Sequence, residues 1–174
     1  MDEIVNRVSQ SPLVVFDLEE LYPRGERASI DLAQWLEEGI ILRETEFRDA
    51  LNQFDWTPYR GCYVRLYCST DAVLPAWSYI LVGSYLNPQA EMVVVGTEEE
   101  LEAGIFAEVL REYDFEALKG KPVILKGCSN LPIPKQAYIA ALKGIQAHAR
   151  SVSFGEACSA VPIYKKIKSS TATE

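Results

Sequence analysis

From residue 61 onward the chain alternates short apolar runs with longer segments of helical periodicity, and this alternation constrains the fold more than any other feature. CYVRLY (62–67), EMVVV (91–95), PVILK (122–126) and SVSF (151–154) read as strands. EMVVV is nearly all apolar, as in a strand covered on both faces. PAWSYILVGSYL (75–86) reads as a helix with Pro75 at its first position, where a locked φ costs nothing. Gly96-Thr97 opens a second helix, in which Thr97 and Glu100 form the T-x-x-E capping box ahead of Leu101, Ile105 and Phe106. A third runs from Pro134 to about Ala149. Strand, helix, strand in this order implies crossover connections and a mostly parallel, helix-covered α/β sheet. A flavodoxin-like strand order is expected.

Upstream, LVVFDL (13–18) and ASIDL (28–32) look like short strands, and YPRGER between them carries the Pro and Gly of a turn. These predict an N-terminal β-hairpin at one edge. AQWLEEGIILRETEFRDALNQ (33–53) has helical spacing that Gly39 splits in two. The expected layout is a single α/β domain over 1–174: hairpin and helices in 1–60, βα repeats in 61–165, and a flexible tail in 166–174. LPAWSYI (74–80) and IPKQAYI (133–139) are alike, so a weak internal repeat underlies the βα register. Trp35, Trp56, Trp77 and the two Tyr-Ile pairs are assigned to the core.

A length of 174 residues with 48% apolar and 24% charged side chains fits a globular domain rather than a disordered chain. The net charge of −8 repels phosphate backbones and argues against nucleic acid. No apolar run approaches the roughly 18 residues of a membrane span. The opening MDEIVNRVSQ lacks both a basic start and an apolar stretch, so a cytoplasmic location is the expectation. There the four cysteines would be reduced thiols.

Three of those cysteines precede serine: Cys68-Ser69, Cys128-Ser129 and Cys158-Ser159. Each lies at or just beyond the carboxyl end of an expected strand, where α/β sheets place their binding crevice. Two precede helix N-termini, which favour thiolate over thiol. If strands 62–67, 122–126 and 151–154 were neighbours about 4.8 Å apart, the three sulfurs could converge on one zinc or iron ion or an iron–sulfur cluster. Ser69, Ser129 and Ser159 would then hydrogen-bond the thiolates. Glu156, Asp71 or water would complete the ligands. Cys62, at the other end of its strand, is expected to be a buried thiol. His148, near a helix C-terminus, is expected at the surface. Two other readings stay open: a thiol-dependent redox or nucleophilic enzyme, and a structural or interaction domain with buried cysteines. Asp17 and Asp31, which flank the expected turn, are read as solvated. There is no phosphate loop, G-x-G-x-x-G or H-E-x-x-H motif to name a substrate.

The segments FDLEELYPRGER, YCSTDAVLPAWSYILVGSYL, VVVGTEEELE, KPVILKGCSNLPIPKQAYIAALKGI and FGEACSAVPIYK together resemble the bacterial family catalogued as domain of unknown function 2480. The similarity runs from about residue 3 to Lys165, and the Cys-Ser blocks are its most distinctive part. The resemblance implies no catalytic residue. It implies a setting near iron–sulfur cluster assembly genes, hence an accessory role with assembly proteins as partners.

Overall fold

Every apolar run named above forms a strand. The computed structural model describes residues 13–127, 130–156 and 158–167, and the expected tail beyond Ile167 lies outside them. In chain order the elements are β1 (Val14–Phe16), β2 (Arg27–Asp31), α1 (Glu44–Gln53), β3 (Tyr63–Tyr67), α2 (Ala76–Leu86), β4 (Met92–Val95), α3 (Glu98–Glu112), β5 (Pro122–Leu125), α4 (Lys135–His148), β6 (Ser151–Phe154) and β7 (Val161–Lys165). Short 3-10 turns lie at Leu32–Trp35, Thr57–Tyr59 and Phe115–Leu118. None of the described helices is long and apolar enough to cross a membrane.

The strands form two sheets rather than one. β2, β3 and β4 lie side by side, all parallel, while the second sheet has the order β1-β5-β6-β7 with only β7 antiparallel. The chain accordingly divides into two compact units. One spans Pro23–Ile105; the other runs up to Tyr22 and resumes at Phe106, so the division cuts α3.

In the Pro23–Ile105 unit, Ile30, Val64 and Leu66 point from one face of the sheet into a core with Phe47 and Leu51 of α1 and Val82 and Leu86 of α2. The i, i+4 spacing of Phe47 and Leu51 sets the buried face of α1. The helix expected from residue 33 does not form as such. Leu32–Trp35 is a 3-10 turn, and left-handed backbone at Glu38 (φ 52°) and Gly39 (φ 74°) breaks the chain before α1. The other unit packs Phe16, Val123, Leu125 and Val152 of its sheet against Phe106 and Leu110 of α3 and Ala137, Ala141 and Ile145 of α4.

Two topological expectations are overturned. The N-terminal hairpin is absent, because β1 pairs in parallel with β5 (Phe16↔Leu125) and β2 pairs in parallel with β3 (Ile30↔Leu66). The intervening turn is organised around Arg27 instead. Its guanidinium donates to the carbonyls of Pro23 (2.7 Å) and Gly25 (2.6 Å). A Cβ at Gly25 would sit 2.4 Å from the Tyr63 ring, so this close approach needs glycine. Nor is the strand order flavodoxin-like: β3 is flanked by β2 and β4, whereas β5 and β6 belong to the other sheet. β7 was not foreseen, since Pro162 within it weakens a strand reading; it is an edge strand, next to a register irregularity in β6, where proline is tolerated.

The internal repeat has a structural counterpart. β3-α2-β4 and β5-α4-β6 are each parallel strand–helix–strand units. Pro75 and Pro134 are the N-caps of α2 and α4, both in extended backbone. Ser78 and Ala137 each donate a backbone N–H to that proline's carbonyl at 3.0 Å.

Candidate functional site

Parallel sheets usually bury both faces. β2 and β3 depart from this rule. Their period-two alternation sends Val64 and Leu66 into the core and sends Tyr63, Arg65 and Tyr67 to the opposite face. The register places Arg27 beside Tyr63, Ser29 beside Arg65 and Asp31 beside Tyr67. One face of this sheet therefore carries two arginines, a serine, an aspartate and two tyrosines.

Two glutamates on α3, one helical turn apart, reach the arginines of that face, and the two pairs differ in kind. Glu102 grips Arg27 with both carboxylate oxygens, at 2.8 Å from Nε and 3.1 Å from Nη2. Their side chains are only 9% and 23% exposed, and Arg27 also lies 5.0 Å above the Tyr63 ring. This pair is closed and structural. Arg65 is held by Ser29, whose Oγ accepts from Nε at 2.8 Å, and by the Tyr67 ring, 4.2 Å below its guanidinium. Its carboxylate partner is Glu98 at 3.3 Å; the Arg65 side chain is 18% exposed and that of Glu98 82%. That pair is open on its glutamate side.

Asp31 ends β2 and organises the loop after β3. Its Oδ1 accepts from the backbone N–H of Ala33 (2.9 Å) and of Ser69 (3.0 Å). Burial pushes its carboxyl upward, but the bonds from Ser69 and Ala33 and the charge of Arg65 hold it below the usual carboxylate value. In the loop so fixed, Cys68 Sγ lies 3.3 Å from Thr70 Oγ1. The Tyr79 hydroxyl is pushed up by burial and further by Cys68 and Asp31. The other unit repeats the device at β1. Asp17 Oδ1 accepts from Glu19 N (2.9 Å), and Oδ2 pairs with Lys126 at 2.5 Å, raising the lysine. Asp17 and Asp31 are thus bonded, not merely solvated.

A depressed folded-state pKa adds stability that is complete above the unfolded value, about 3.9 for Asp. It is lost as pH falls through the lower folded value. Asp31→Asn is therefore expected to reduce stability at neutral pH by about 1 kcal/mol, as for a weakened N-cap, and to remove part of the acid-limb slope below about pH 4. Urea midpoints at pH 7 and pH 3 test this; an equal loss at both would refute the charged role.

The cysteines are placed otherwise than expected. Cys68 is half-buried at the end of β3 in the Pro23–Ile105 unit, with Ser69 and Asp71 exposed beside it. Cys158 is exposed in the turn between β6 and β7 of the other unit, near exposed Glu156 and Ser159. Cys128 and Ser129 lie outside the described residues. The convergence required β3 to lie beside β5, with β6 next in the same sheet; β2 takes that place beside β3, and β5 and β6 belong to the other sheet. Among the described residues no three His, Cys, Asp or Glu side chains come together to hold a metal ion. This overturns the three-cysteine metal or iron–sulfur crevice, and with it the basis for an accessory role in cluster assembly. Of the described cysteines only Cys62 is buried, its thiol pushed up by that burial. His148 is half-buried, stacked on Phe115 with ring centroids 6.2 Å apart and Nδ1 2.9 Å from the Gly144 carbonyl oxygen.

Arg65 and Ser29 went unnoticed in the sequence, although a charged residue amid the apolar YVRLY was the signal. A family model described as Protein of unknown function (DUF2480) matches residues 2–166. No curated protein and no solved structure matches the chain.

Proposed function

We propose that this chain, which belongs to the DUF2480 family, binds a small anionic ligand, carrying a carboxylate or phosphate, on the polar face of β2 and β3. The observation that carries this reading is the contrast between the two arginines. Arg27 is locked by a buried carboxylate, whereas Arg65 is oriented by Ser29 and Tyr67 and paired only with a glutamate at the protein surface. Arg65 is only 18% exposed, but its partner Glu98 is 82% exposed and solvent-screened, so an incoming anion displaces this glutamate at small cost. The guanidinium offers such a ligand a planar fork of donors already aimed. The nearby α3 N-terminus is a poorer anion site. Glu100 accepts there from Thr97 N at 2.7 Å, and Glu98 and Glu99 add negative charge. Because the whole protein is negative, binding depends on these specific contacts and weakens with salt.

Nuclear magnetic resonance titrations with inorganic phosphate and with succinate test the reading. Saturable shifts are expected at Ser29, Arg65 and Tyr67. Arg65→Met should weaken binding roughly 10- to 100-fold, the loss of a charge-assisted hydrogen bond or two. Identical titrations of Arg65→Met and the unaltered protein, or no saturable shifts in either, would reject it.

A further inference from the structure

We infer that the outer face of α2 is a self-association surface, on which a second copy of this chain docks its own α2 across a two-fold axis. α2 has the composition of a buried helix: AWSYILVGSYL contains no charged residue in its 11 positions. Yet only one side of it is covered, by the core around Val82 and Leu86. Trp77, Ile80, Leu81 and Ser84, spaced i, i+3, i+4 and i+7, line an open groove of about 320 Å³. Ile80, expected in the core, is 71% exposed. That spacing is the seam by which one helix packs against another.

The groove has a rim that selects the occupant. Glu44 and Arg48 of α1 flank it, one helical turn apart. Within one chain they pair at 2.9 Å, with side chains 62% and 50% exposed. In a two-fold contact, residue i of one copy meets residue j of the other and the reverse. A rim with one acid and one base is therefore complementary to itself: each Glu44 meets the Arg48 of the other copy, and the exchange of one exposed pair for another is close to neutral. The repeat provides a control. Ile139 occupies the position of Ile80 on α4 and is 69% exposed, but its groove also contains Lys143 and Gln146. α4 is an ordinary amphipathic helix; α2 is not.

Sedimentation velocity on the full chain, over about 1 µM to about 1 mM, tests this, since a contact of one helix pair implies micromolar rather than nanomolar association. The unaltered protein should dimerise within that range. Ile80→Asp should weaken the dimer by about 30-fold or more, as at an interface hot spot, with its circular dichroism and melting curve preserved. Ile139→Asp should leave it unchanged. Glu44→Arg and Arg48→Glu should each weaken the homodimer, and mixing the two variants should restore association, because only the mixed pair matches charges at both ends. A protein monomeric at the highest concentration leaves the face to some other partner and overturns the proposal. Sensitivity to Ile139→Asp instead of Ile80→Asp, or failure of the mixture to recover, overturns it equally.

Discussion

Replacing Glu102 by alanine is expected to lower unfolding free energy by about 3 kcal/mol, the loss when one partner of a buried ion pair is removed. Arg27 would keep its bonds to the carbonyls of Pro23 and Gly25 and its stacking on Tyr63, which places the effect at the lower end of that class. Glu102→Gln, retaining one acceptor, should fall between. The informative comparison is Arg27→Met with Glu102→Leu. A buried pair replaced whole by apolar side chains of similar size is often neutral, because both desolvation penalties vanish together. Urea denaturation of the three variants separates the cost of an orphaned arginine from the worth of the pair. A loss under about 1 kcal/mol in Glu102→Ala would mean that Arg27 finds water, and that this pair is as open as Arg65–Glu98.

That contrast between a closed and an open arginine was invisible in the sequence, although its ingredients were legible. The runs ASIDL and CYVRLY announced strands, and β2 and β3 lie within a residue of them. The T-x-x-E box at Thr97 and Glu100 forms, with Glu100 N donating to Thr97 Oγ1 at 3.2 Å. Pro75 and Pro134 start α2 and α4. These features are local, and local chemistry decides them. Strand partnership is a different matter. YPRGER carries ordinary turn residues, and nothing in their order says that Arg27 will fold the segment back on itself and direct β2 to β3 instead of β1. Convergence of the cysteines depends on the same strand partnership. Cys68 does follow a strand and Cys158 does lie beyond one, but equivalent topological positions are not proximity. Burial departs from the sequence pattern where the repeat is clearest, since the isoleucines of both Tyr-Ile pairs face outward. An apolar side chain states a preference for a dry contact without saying whether its own chain supplies one.

The same core that β3 turns toward α1 and α2 sets the last expected result. Trp56→Ala should destabilise the protein by about 3–5 kcal/mol, in the range for a large aromatic removed from a core. Trp56 is buried, its ring stacked on Tyr85 at 5.2 Å and set edge-on to Phe54 at 4.7 Å. Its indole N–H donates to the Leu51 carbonyl at 3.1 Å. That carbonyl is among the last of α1, a helix end with no basic side chain in its final turn, so the indole acts as a cap from outside the helix. Trp56→Phe keeps an aromatic ring and loses the bond, and should cost about 1 kcal/mol beyond any repacking. The difference between the two variants measures packing against capping. It also bears on the candidate site, because Val64 and Leu66 rest on this core while Arg65, between them, faces the other way. If the strand transmits the disturbance, Trp56→Ala should weaken phosphate binding at Arg65 under conditions where it is still folded, and Trp56→Phe should not. Equal binding in both variants would show that the sheet holds Arg65 in place independently of what packs beneath it.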